Sequence, residues 1–437
     1  MSSSIHYKAK GERLKMLLES AVEKANEWVR FSQRKRTLDA VGFVETLVLG
    51  WLAEPKASLS KLTVFASKMG FGISRQGLQE RMTSRAVVLM MAVLREALQN
   101  QCVDERLVLP SVSSLSAIWI TDSTQIALPA DLHDQFPGNV GNSMVKLQVS
   151  VDYLSGQLVF DPLEAGKTPD QKCDLPVRQA QAGSLQLFDL GYFSQERLKQ
   201  IAERDAYFLC RYQAQTALYD ATSHQQMELL DLLPINQPDF TWYGELGAKA
   251  HVSIRLVAHR VSPQIAHERR RKARATAKKQ GKTCSERYLR LQDWDVLITN
   301  LDPTLFPTSF LFALYGLRWQ IELDFRTWKS QLALACIRGK RIESIFCQLY
   351  AHLIGAVLVH QWTVNWRYRA TIEYSLPKLL HLISTSIPRL LHVIRLHWYG
   401  LSAFWQALEK DFRQFAFREK RLKSPSTFQT VNNWRLT

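Results

Sequence analysis

The sequence predicts an α/β protein in which a mixed β-sheet core is preceded and followed by helical regions. Apolar residues recur at helical spacing before residue 110 and again after residue 300. Between positions 115 and 212, short β-rich runs alternate with helical segments, and a second β-rich stretch occupies 213–300. The chain has 437 residues, of which 46% are hydrophobic, so it is long enough for two or three folded domains.

Residues 1–110 are predicted to form a helical DNA-binding domain. A short helical pattern ends at Gly70, and Ser74 can cap a second helix that opens with Arg75 and Gln76. A glycine turn between a helix and a capped basic helix indicates a helix-turn-helix, in which Arg75 and Gln76 would contact DNA. The alternative is a pair of packed helices in an ordinary small bundle.

Residues 111–366 are predicted to form the catalytic domain. The strand-like runs are Ser116–Thr121, Val145–Tyr153, Gln157–Phe160, Ser184–Phe188 and Ala206–Tyr212. A helical segment precedes each of the last two runs, so the order is three strands, helix, strand, helix, strand. This order resembles an RNase H-like mixed sheet. Asp122 and Asp189 each come directly after a predicted strand, where acids of that fold converge on one edge.

A β-rich insertion at 213–300 interrupts the catalytic domain, and the chain closes with a basic helical region at 367–437. Within the insertion, residues 267–282 contain eight Lys or Arg and one Glu. Lys272 and Arg274 in this run are predicted to contact the DNA backbone, and a solvated helix is the alternative.

The charge balance favours a polyanionic partner. Lys and Arg number 56 against 40 Asp and Glu, which gives a net charge of +16 and makes nucleic acid the leading candidate. None of the six cysteines forms a Cys-x-x-Cys pair, which excludes the usual zinc spacings and gives no sign of a disulfide framework. The N-terminus lacks the apolar core of a secretory signal, and the most apolar run, 345–364, is interrupted by polar residues. We therefore expect a cytoplasmic protein without a membrane span.

Four polar residues of the segment 315–329 share one narrow helical stripe. Tyr315, Arg318, Glu322 and Lys329 fall at roughly 0°, 300°, 340° and 320° on a helix of about 100° per residue. We call them the Tyr–Arg–Glu–Lys stripe. The adjoining apolar face, which can seat the helix on a core, is Leu314, Leu317, Ile321, Phe325, Trp328 and Leu332. A carboxylate can hold a divalent metal, and the cations and the phenol can bind a phosphodiester.

The spacing Tyr-x2-Arg-x3-Glu-x6-Lys resembles the signature of a large family of bacterial insertion-sequence transposases with an Asp-Asp-Glu catalytic triad. The segments Asp122-Ser-Thr and Asp189-Leu-Gly-Tyr match the two aspartate segments of that family. The resemblance implies that Asp122, Asp189 and Glu322 are the catalytic residues and hold Mg²⁺ or Mn²⁺, expected as two ions. Three carboxylates are a minimal cage for the two metals that phosphodiester chemistry uses.

The same resemblance implies cut-and-paste transposition on DNA by a nucleoid-associated homodimer. Arg318 and Lys329 would bind the phosphate beside the terminal nucleotide, and Tyr315 would donate a hydrogen bond to it. Members of the family stack a flipped base on a tryptophan of the inserted β region, and Trp294 is the candidate here. A strand tryptophan in the core is the alternative for Trp294. The C-terminal helices are the expected dimer contact.

Other interpretations remain open from sequence alone. Asp122 and Asp189 could be turn or capping residues, and the rival acids are Asp152, Asp161 and Asp170. Glu322 could be an exposed partner of Arg318 or Arg326, which would leave the rest of the stripe unexplained. A catalytically inactive DNA-binding repressor, a domesticated transposase or another RNase H-like nuclease are the alternative functions.

Overall fold

The structure is a computed structural model that describes residues 2–32, 38–101, 107–234, 236–367, 373–418, 427–432 and 434. The predicted C-terminal region 367–437 is therefore described only in part, and Cys102 lies outside the described residues. The five described cysteines are all free thiols.

Helices come first along the chain. They are α1 (Ser2–Lys15), α2 (Ala21–Val29), α3 (Ala40–Ala53), α4 (Leu59–Lys68), α5 (Arg75–Arg81) and α6 (Ser84–Gln99), with a π-helical turn at Met16–Ser20 between the first two. Polar side chains cap four of them: Asp39, Ser58, Ser74 and Thr83 each accept a hydrogen bond from a backbone N–H of the first turn. The predicted cap at Ser74 is confirmed.

Strands and short helices alternate through the middle of the chain. The first group is β1 (Ala117–Ala127), β2 (Met144–Asp152), β3 (Leu158–Phe160), β4 (Glu164–Ala165), α7 (Leu175–Arg178), β5 (Ser184–Phe188), α8 (Gln195–Ala202) and β6 (Tyr207–Arg211). The inserted group is β7 (Leu218–Asp220), β8 (Gln226–Met227), α9 (Leu229–Leu232), β9 (Asp239–Leu246), β10 (Val252–Arg260), α10 (Pro263–Lys279), α11 (Glu286–Leu291) and β11 (Trp294–Thr299).

The rest of the described chain is helical. Its elements are α12 (Thr308–Tyr315), α13 (Trp319–Ser330), α14 (Ile342–Arg367), α15 (Leu376–Arg395), α16 (Leu401–Phe415) and α17 (Thr427–Asn432). A 3₁₀ turn at Gly316–Arg318 separates α12 from α13. The prediction that the Tyr–Arg–Glu–Lys stripe lies on one continuous helix is therefore wrong, because the 3₁₀ turn interrupts it. Glycine weakens a helix interior because of its backbone freedom, and Gly316 begins the turn.

The chain divides into two compact units. The first comprises Met1–Leu107, Ser123–Thr168 and Ile321–Ser424, and the second comprises Val108–Asp122, Pro169–Gln320 and Pro425–Thr437. Both units are built from segments far apart in sequence, and β1 and α13 each run from one unit into the other.

The first unit is mainly helical. Its core forms where α14 packs on α3 and α6, and almost every residue of α3 is buried. The β-strand order in this unit is β3-β2-β1, with β4 also paired to β2. By length and composition α14 could cross a membrane over Ile342–Val364, but 72% of its most apolar window is buried inside the structure. Core helices of soluble proteins give the same pattern.

The second unit is organised on a mixed sheet with the order β1-β5-β6-β11-β10-β9-β7-β8. The strands β1, β5 and β6 are parallel, while β11, β10, β9, β7 and β8 continue the sheet in antiparallel pairs. Strands from the insertion therefore extend the sheet of the catalytic domain. This is the mixed α/β architecture of an RNase H-like core, as the sequence predicts.

The first strand is longer than predicted. It was expected to end at Thr121, but β1 continues to Ala127, so Asp122 lies inside the strand and not after it. Thr124 and Ile126 are buried while their neighbours are more open, which is the alternation of a half-buried strand. What does end at Thr121 is the pairing of β1 with β5.

Candidate active site

Asp122 and Asp189 occupy equivalent positions on two neighbouring parallel strands. The last paired residues of β1 and β5 are Thr121 and Phe188, and each aspartate is the next residue of the chain, Asp122 within β1 and Asp189 just after β5. Neighbouring strands lie about 4.8 Å apart, so the register brings the backbones of the two aspartates to the same edge. The backbone of Asp189 is still extended, with φ −82° and ψ 169°, before a 3₁₀ turn begins at Leu190. Both side chains are half-buried.

Arg318 contacts the first of these carboxylates. Its Nη1 lies 3.3 Å from Oδ2 of Asp122, and the two side chains are only 13% and 19% exposed. A partly buried ion pair is screened less by solvent than a surface pair. Two residues that the sequence singled out for separate reasons are therefore in direct contact within the second unit.

Tyr315 packs beside β5, the strand that Asp189 directly follows. Its ring is 9% exposed, and its hydroxyl lies 3.5 Å from the carbonyl oxygen of Phe188, to which it donates. Burial raises the pKa of Tyr315 well above its ordinary value, and the opposing effect of Arg318 and Arg211 is smaller. Burial thus favours the neutral phenol, which donates to the Phe188 carbonyl.

Glu322 and Lys329 lie on α13, in its first and last turns respectively. Both are half-buried, and both belong to the first unit, whereas Tyr315 and Arg318 belong to the second. Burial lowers the pKa of Lys329. The apolar face predicted beside the stripe is confirmed, because its six members are all buried: Leu314, Leu317, Ile321, Phe325, Trp328 and Leu332.

The carboxylates suit a hard divalent cation in their chemistry. Asp122 and Asp189 offer oxygen ligands of the kind that Mg²⁺ and Mn²⁺ take. In the described part of the chain, no group of three or more His, Cys, Asp or Glu side chains is arranged to hold a metal ion. One oxygen of Asp122 is engaged by Arg318. The aspartate pair therefore fits part of a metal site.

Trp294 opens β11 and is buried. It is 8% exposed, and the guanidinium of Arg260 lies 5.3 Å from the centre of its ring. A covered ring offers no face to a nucleobase, so the geometry favours the core alternative for this residue. The insertion does expose two tyrosines, Tyr243 at 54% and Tyr288 at 47%, which the sequence reasoning did not select.

The basic run forms the helix α10, whose arginines divide into two groups. Arg269 and Arg270 face inwards and pair with Asp295 at 3.0 Å and Asp293 at 2.8 Å. Lys272 is exposed and pairs with Glu268 on its own helix. A further outward stripe at helical spacing is formed by Arg271, Arg274 and Lys278, all exposed.

The segment predicted to form a helix-turn-helix contains the two helices α4 and α5, which contact each other. Gly70 between them has a φ of +91°, a conformation that favours glycine. Arg75 is the exposed first residue of α5, and the Gln76 amide donates to Glu80 at 2.9 Å. Their contact with DNA stays a prediction.

Comparison with known proteins identifies the family. Residues 114–358, more than half of the chain, match the Transposase DDE domain. The chain is 25% identical over 371 residues to the transposase for insertion sequence element IS231E of Bacillus thuringiensis subsp. finitimus, a match that covers 78% of this chain and 77% of the relative.

Two other relatives give the same result. The transposase for IS231F of Bacillus thuringiensis subsp. israelensis is 27% identical, over 76% of this chain and 74% of the relative. The transposase for IS1151 of Clostridium perfringens is 24% identical, over 75% of each. Because the family model covers more than half of the chain and the fold is a mixed α/β sheet, the chain belongs to the DDE transposase family of insertion sequences.

Proposed function

We propose that this transposase carries out cut-and-paste transposition of its own insertion sequence, with Asp122, Asp189 and Glu322 as the catalytic carboxylates. The observation that carries the proposal is the register of β1 and β5, which aligns two aspartates at one edge, together with the contact of Arg318 with Asp122. Glu322 follows Arg318 by four residues and opens α13.

The reaction consists of two kinds of phosphoryl transfer. First, water attacks a phosphorus at the boundary of the element, the bond to the 3′-oxygen breaks, and a 3′-hydroxyl and a 5′-phosphate result. The freed 3′-hydroxyl then attacks the phosphodiester of the opposite strand, which forms a hairpin and releases the flanking DNA. Water opens the hairpin and regenerates the 3′-hydroxyl, which attacks a phosphodiester of the target DNA. Each attack forms one P–O bond and breaks one.

Asp122, Asp189 and Glu322 would hold Mg²⁺ or Mn²⁺, as two ions, which supply charge stabilisation to the attacking and leaving oxygens when bound. Arg318 and Lys329 would bind the phosphate of the terminal nucleotide, and Tyr315 would donate a hydrogen bond to it. Burial favours the neutral Tyr315 phenol, which supports this donor role once the hydroxyl exchanges the Phe188 carbonyl for the phosphate.

The partners are the terminal inverted repeats and the target DNA, in the bacterial cytoplasm at the nucleoid. Arg75 and Gln76 of α5 are exposed on the helix-turn-helix, which supports their contact with the repeats. The exposed position of Arg274 on α10 supports its contact with the DNA backbone. Lys272 would have to leave its ion pair with Glu268 to bind a DNA phosphate. A homodimer bridging two element ends would use the C-terminal helices.

The central experiment is cleavage of labelled element ends by purified protein in Mg²⁺. We expect Glu322→Gln to bind the ends normally and to cleave at least about 1000-fold more slowly, because the amide cannot replace a carboxylate ligand. The matched control is Glu203→Gln, an exposed acid after α8, which should cleave at the wild-type rate. A wild-type protein that binds ends without cutting them would instead indicate an inactive DNA-binding repressor.

A further inference from the structure

A cleft of about 500 Å³ in the first unit is lined by several basic side chains and by no acidic side chain. Its walls are the end of α3, the start of α4, the helix α5, the segment 336–340 and the start of α14. Four basic side chains line it, Lys56, Arg75, Arg338 and Lys340, and we call it the basic cleft. No Asp or Glu is among its lining residues, and none of the four cations forms an ion pair with any described residue.

The backbone holds two of these cations on one wall. Gly339 has a φ of +153°, which side-chain-bearing residues rarely adopt, and a Cβ there would lie 3.0 Å from Cγ1 of Ile345. The amide of Arg338 donates to Oε1 of Gln348 at 2.9 Å. Glycine at this position therefore allows the turn that presents both Arg338 and Lys340 to the same cleft.

The cleft also contains an unused hydrogen-bond donor. The hydroxyl oxygen of Ser344 is buried and has no hydrogen-bond partner, although Ser344 lines the cleft. Ser344 lies in the first turn of α14, where backbone N–H groups lack helical acceptors and the helix dipole favours an anion. The hydroxyl makes no hydrogen bond within the described protein, so it is available to donate to a ligand oxygen.

The opposite wall is fixed in the free protein. The indole N–H of Trp51 donates to the carbonyl of Ala57 at 3.1 Å, which holds the turn that carries Lys56. Ser58 then caps α4. The cations of this wall come from the helix-turn-helix region, and those of the other wall from the segment after α13.

We propose that the basic cleft binds a phosphodiester of the DNA backbone, a step that rests on the proposed function. Four unpaired cations, a free hydroxyl and a helix N-terminus supply donors and positive charge, which a phosphate accepts. Arg75 belongs to the predicted DNA-reading helix, so DNA fits the cleft better than a free nucleotide. One stretch of backbone would then contact both the helix-turn-helix and the segment that directly follows α13, the helix of Glu322 and Lys329.

The test measures DNA binding without metal, so it does not depend on catalysis. The cleft variant carries two substitutions in one protein, Arg338→Gln and Lys340→Gln. The control variant, Lys24→Gln together with Lys410→Gln, removes two exposed cations elsewhere in the same unit. Fluorescence anisotropy of a labelled end gives Kd from about 50 to 200 mM salt. The cleft variant should bind about tenfold more weakly, with a slope of log K against log salt reduced by about 2, since each phosphate contact contributes about 0.9.

A third variant guards against misfolding. Ser344→Ala removes one hydroxyl, and we expect Kd to rise about threefold with an unchanged Tm, because a partnerless group is lost from the free protein. Equal Kd and slope for the cleft variant and the control would overturn the proposal. So would binding of ATP that is lost in the cleft variant while DNA binding is kept, since the occupant would then be a nucleotide.

The failure of this inference is separable from that of the proposed function. If wild-type protein cleaves ends and Glu322→Gln does not, but the cleft variant binds like the control, only the cleft assignment is wrong. If no cleavage occurs while the salt slope falls as expected, the cleft binds DNA and the proposed catalysis is wrong.

Discussion

Two sets of cations in this transposase, one in each unit, differ in whether they are paired with carboxylates. In the second unit, Arg318 is paired with Asp122, and Arg270 of α10 is paired with Asp293. In the first unit, the cations of the basic cleft have no carboxylate partner among the described residues. Glu45, in the core of the first unit, is 3% exposed, and burial raises its pKa to about 8.

The presence or absence of a carboxylate partner distinguishes cations that position the protein's own groups from cations that are available to a ligand. An arginine paired with a carboxylate has a structural role in the free protein and must exchange partners to bind phosphate. An unpaired cation retains its attraction for a polyanion in full. Charge alone therefore does not identify DNA contacts in this basic chain, and the pairing state of each cation has to be known.

The largest expected effect concerns the paired arginine of the candidate active site. Arg318→Ala should reduce end cleavage by about 100–1000-fold, because it removes both the partner of Asp122 and the proposed phosphate ligand. The control is Arg326→Ala, an exposed arginine on α13, which should stay within about threefold of wild type. Single-turnover cleavage in Mg²⁺ measures both, and equal rates for the two variants would remove Arg318 from the site.

Trp294 sharpens the contrast between buried and available side chains. Trp294→Ala should lower the free energy of unfolding by about 3 kcal/mol, because a buried aromatic side chain leaves a cavity. Tyr288→Ala, which truncates an exposed ring, should change it by less than about 0.5 kcal/mol. Urea denaturation gives both values. A stable Trp294→Ala protein with impaired hairpin formation would restore the base-stacking role.

Glu45 predicts a pH dependence of stability. Its folded pKa of about 8 lies above its ordinary value of 4.5, so its contribution to stability is present below pH 4.5 and is lost as pH rises through 8. Glu45→Gln lacks this loss and should be more stable than wild type at pH 9 by about 2 kcal/mol.

The measurement is urea unfolding between pH 6.5 and 9. Other titrating groups, including His352, are present in both proteins, so their contributions cancel in the difference between wild type and variant. A difference between wild type and variant that does not change with pH would show that Glu45 is not held neutral in the folded protein.

The smallest expected effect compares two pairs of cations on α10. Changing the exposed Arg274 and Lys278 to Gln should weaken DNA binding about fivefold and leave Tm unchanged. Changing the paired Arg269 and Arg270 to Gln should lower Tm by a few degrees, with a smaller effect on binding. Anisotropy and thermal melting distinguish the two outcomes, and the reverse pattern would show that pairing does not decide which cations bind DNA.

Local sequence patterns predicted much of this structure. The cap at Ser74, the strand Ser184–Phe188 and the apolar face of the Tyr–Arg–Glu–Lys stripe depend on residues close in sequence, and the structure confirms them. The match of the aspartate segments to the family also located the two positions that the β1–β5 register aligns.

Features set by distant contacts could not be read from the sequence. The length of β1 and the burial of Trp294 depend on packing partners far along the chain. The 3₁₀ turn before α13 could not be predicted because a single glycine, Gly316, stands within a strong helical pattern of apolar residues. The basic cleft unites Lys56 and Arg75 with the segment 338–340, which follows more than 200 positions later and shares no motif with them.

The most direct test of the central claim is to change the metal preference of a carboxylate. Asp122→Cys replaces an oxygen ligand with a thiolate, which Mg²⁺ binds poorly and Mn²⁺ accepts better. We expect end cleavage by this variant to fall by at least about 1000-fold in Mg²⁺ and to recover in part in Mn²⁺. Cleavage by Asp122→Cys at the wild-type rate in Mg²⁺ would contradict the assignment of Asp122 as a metal ligand.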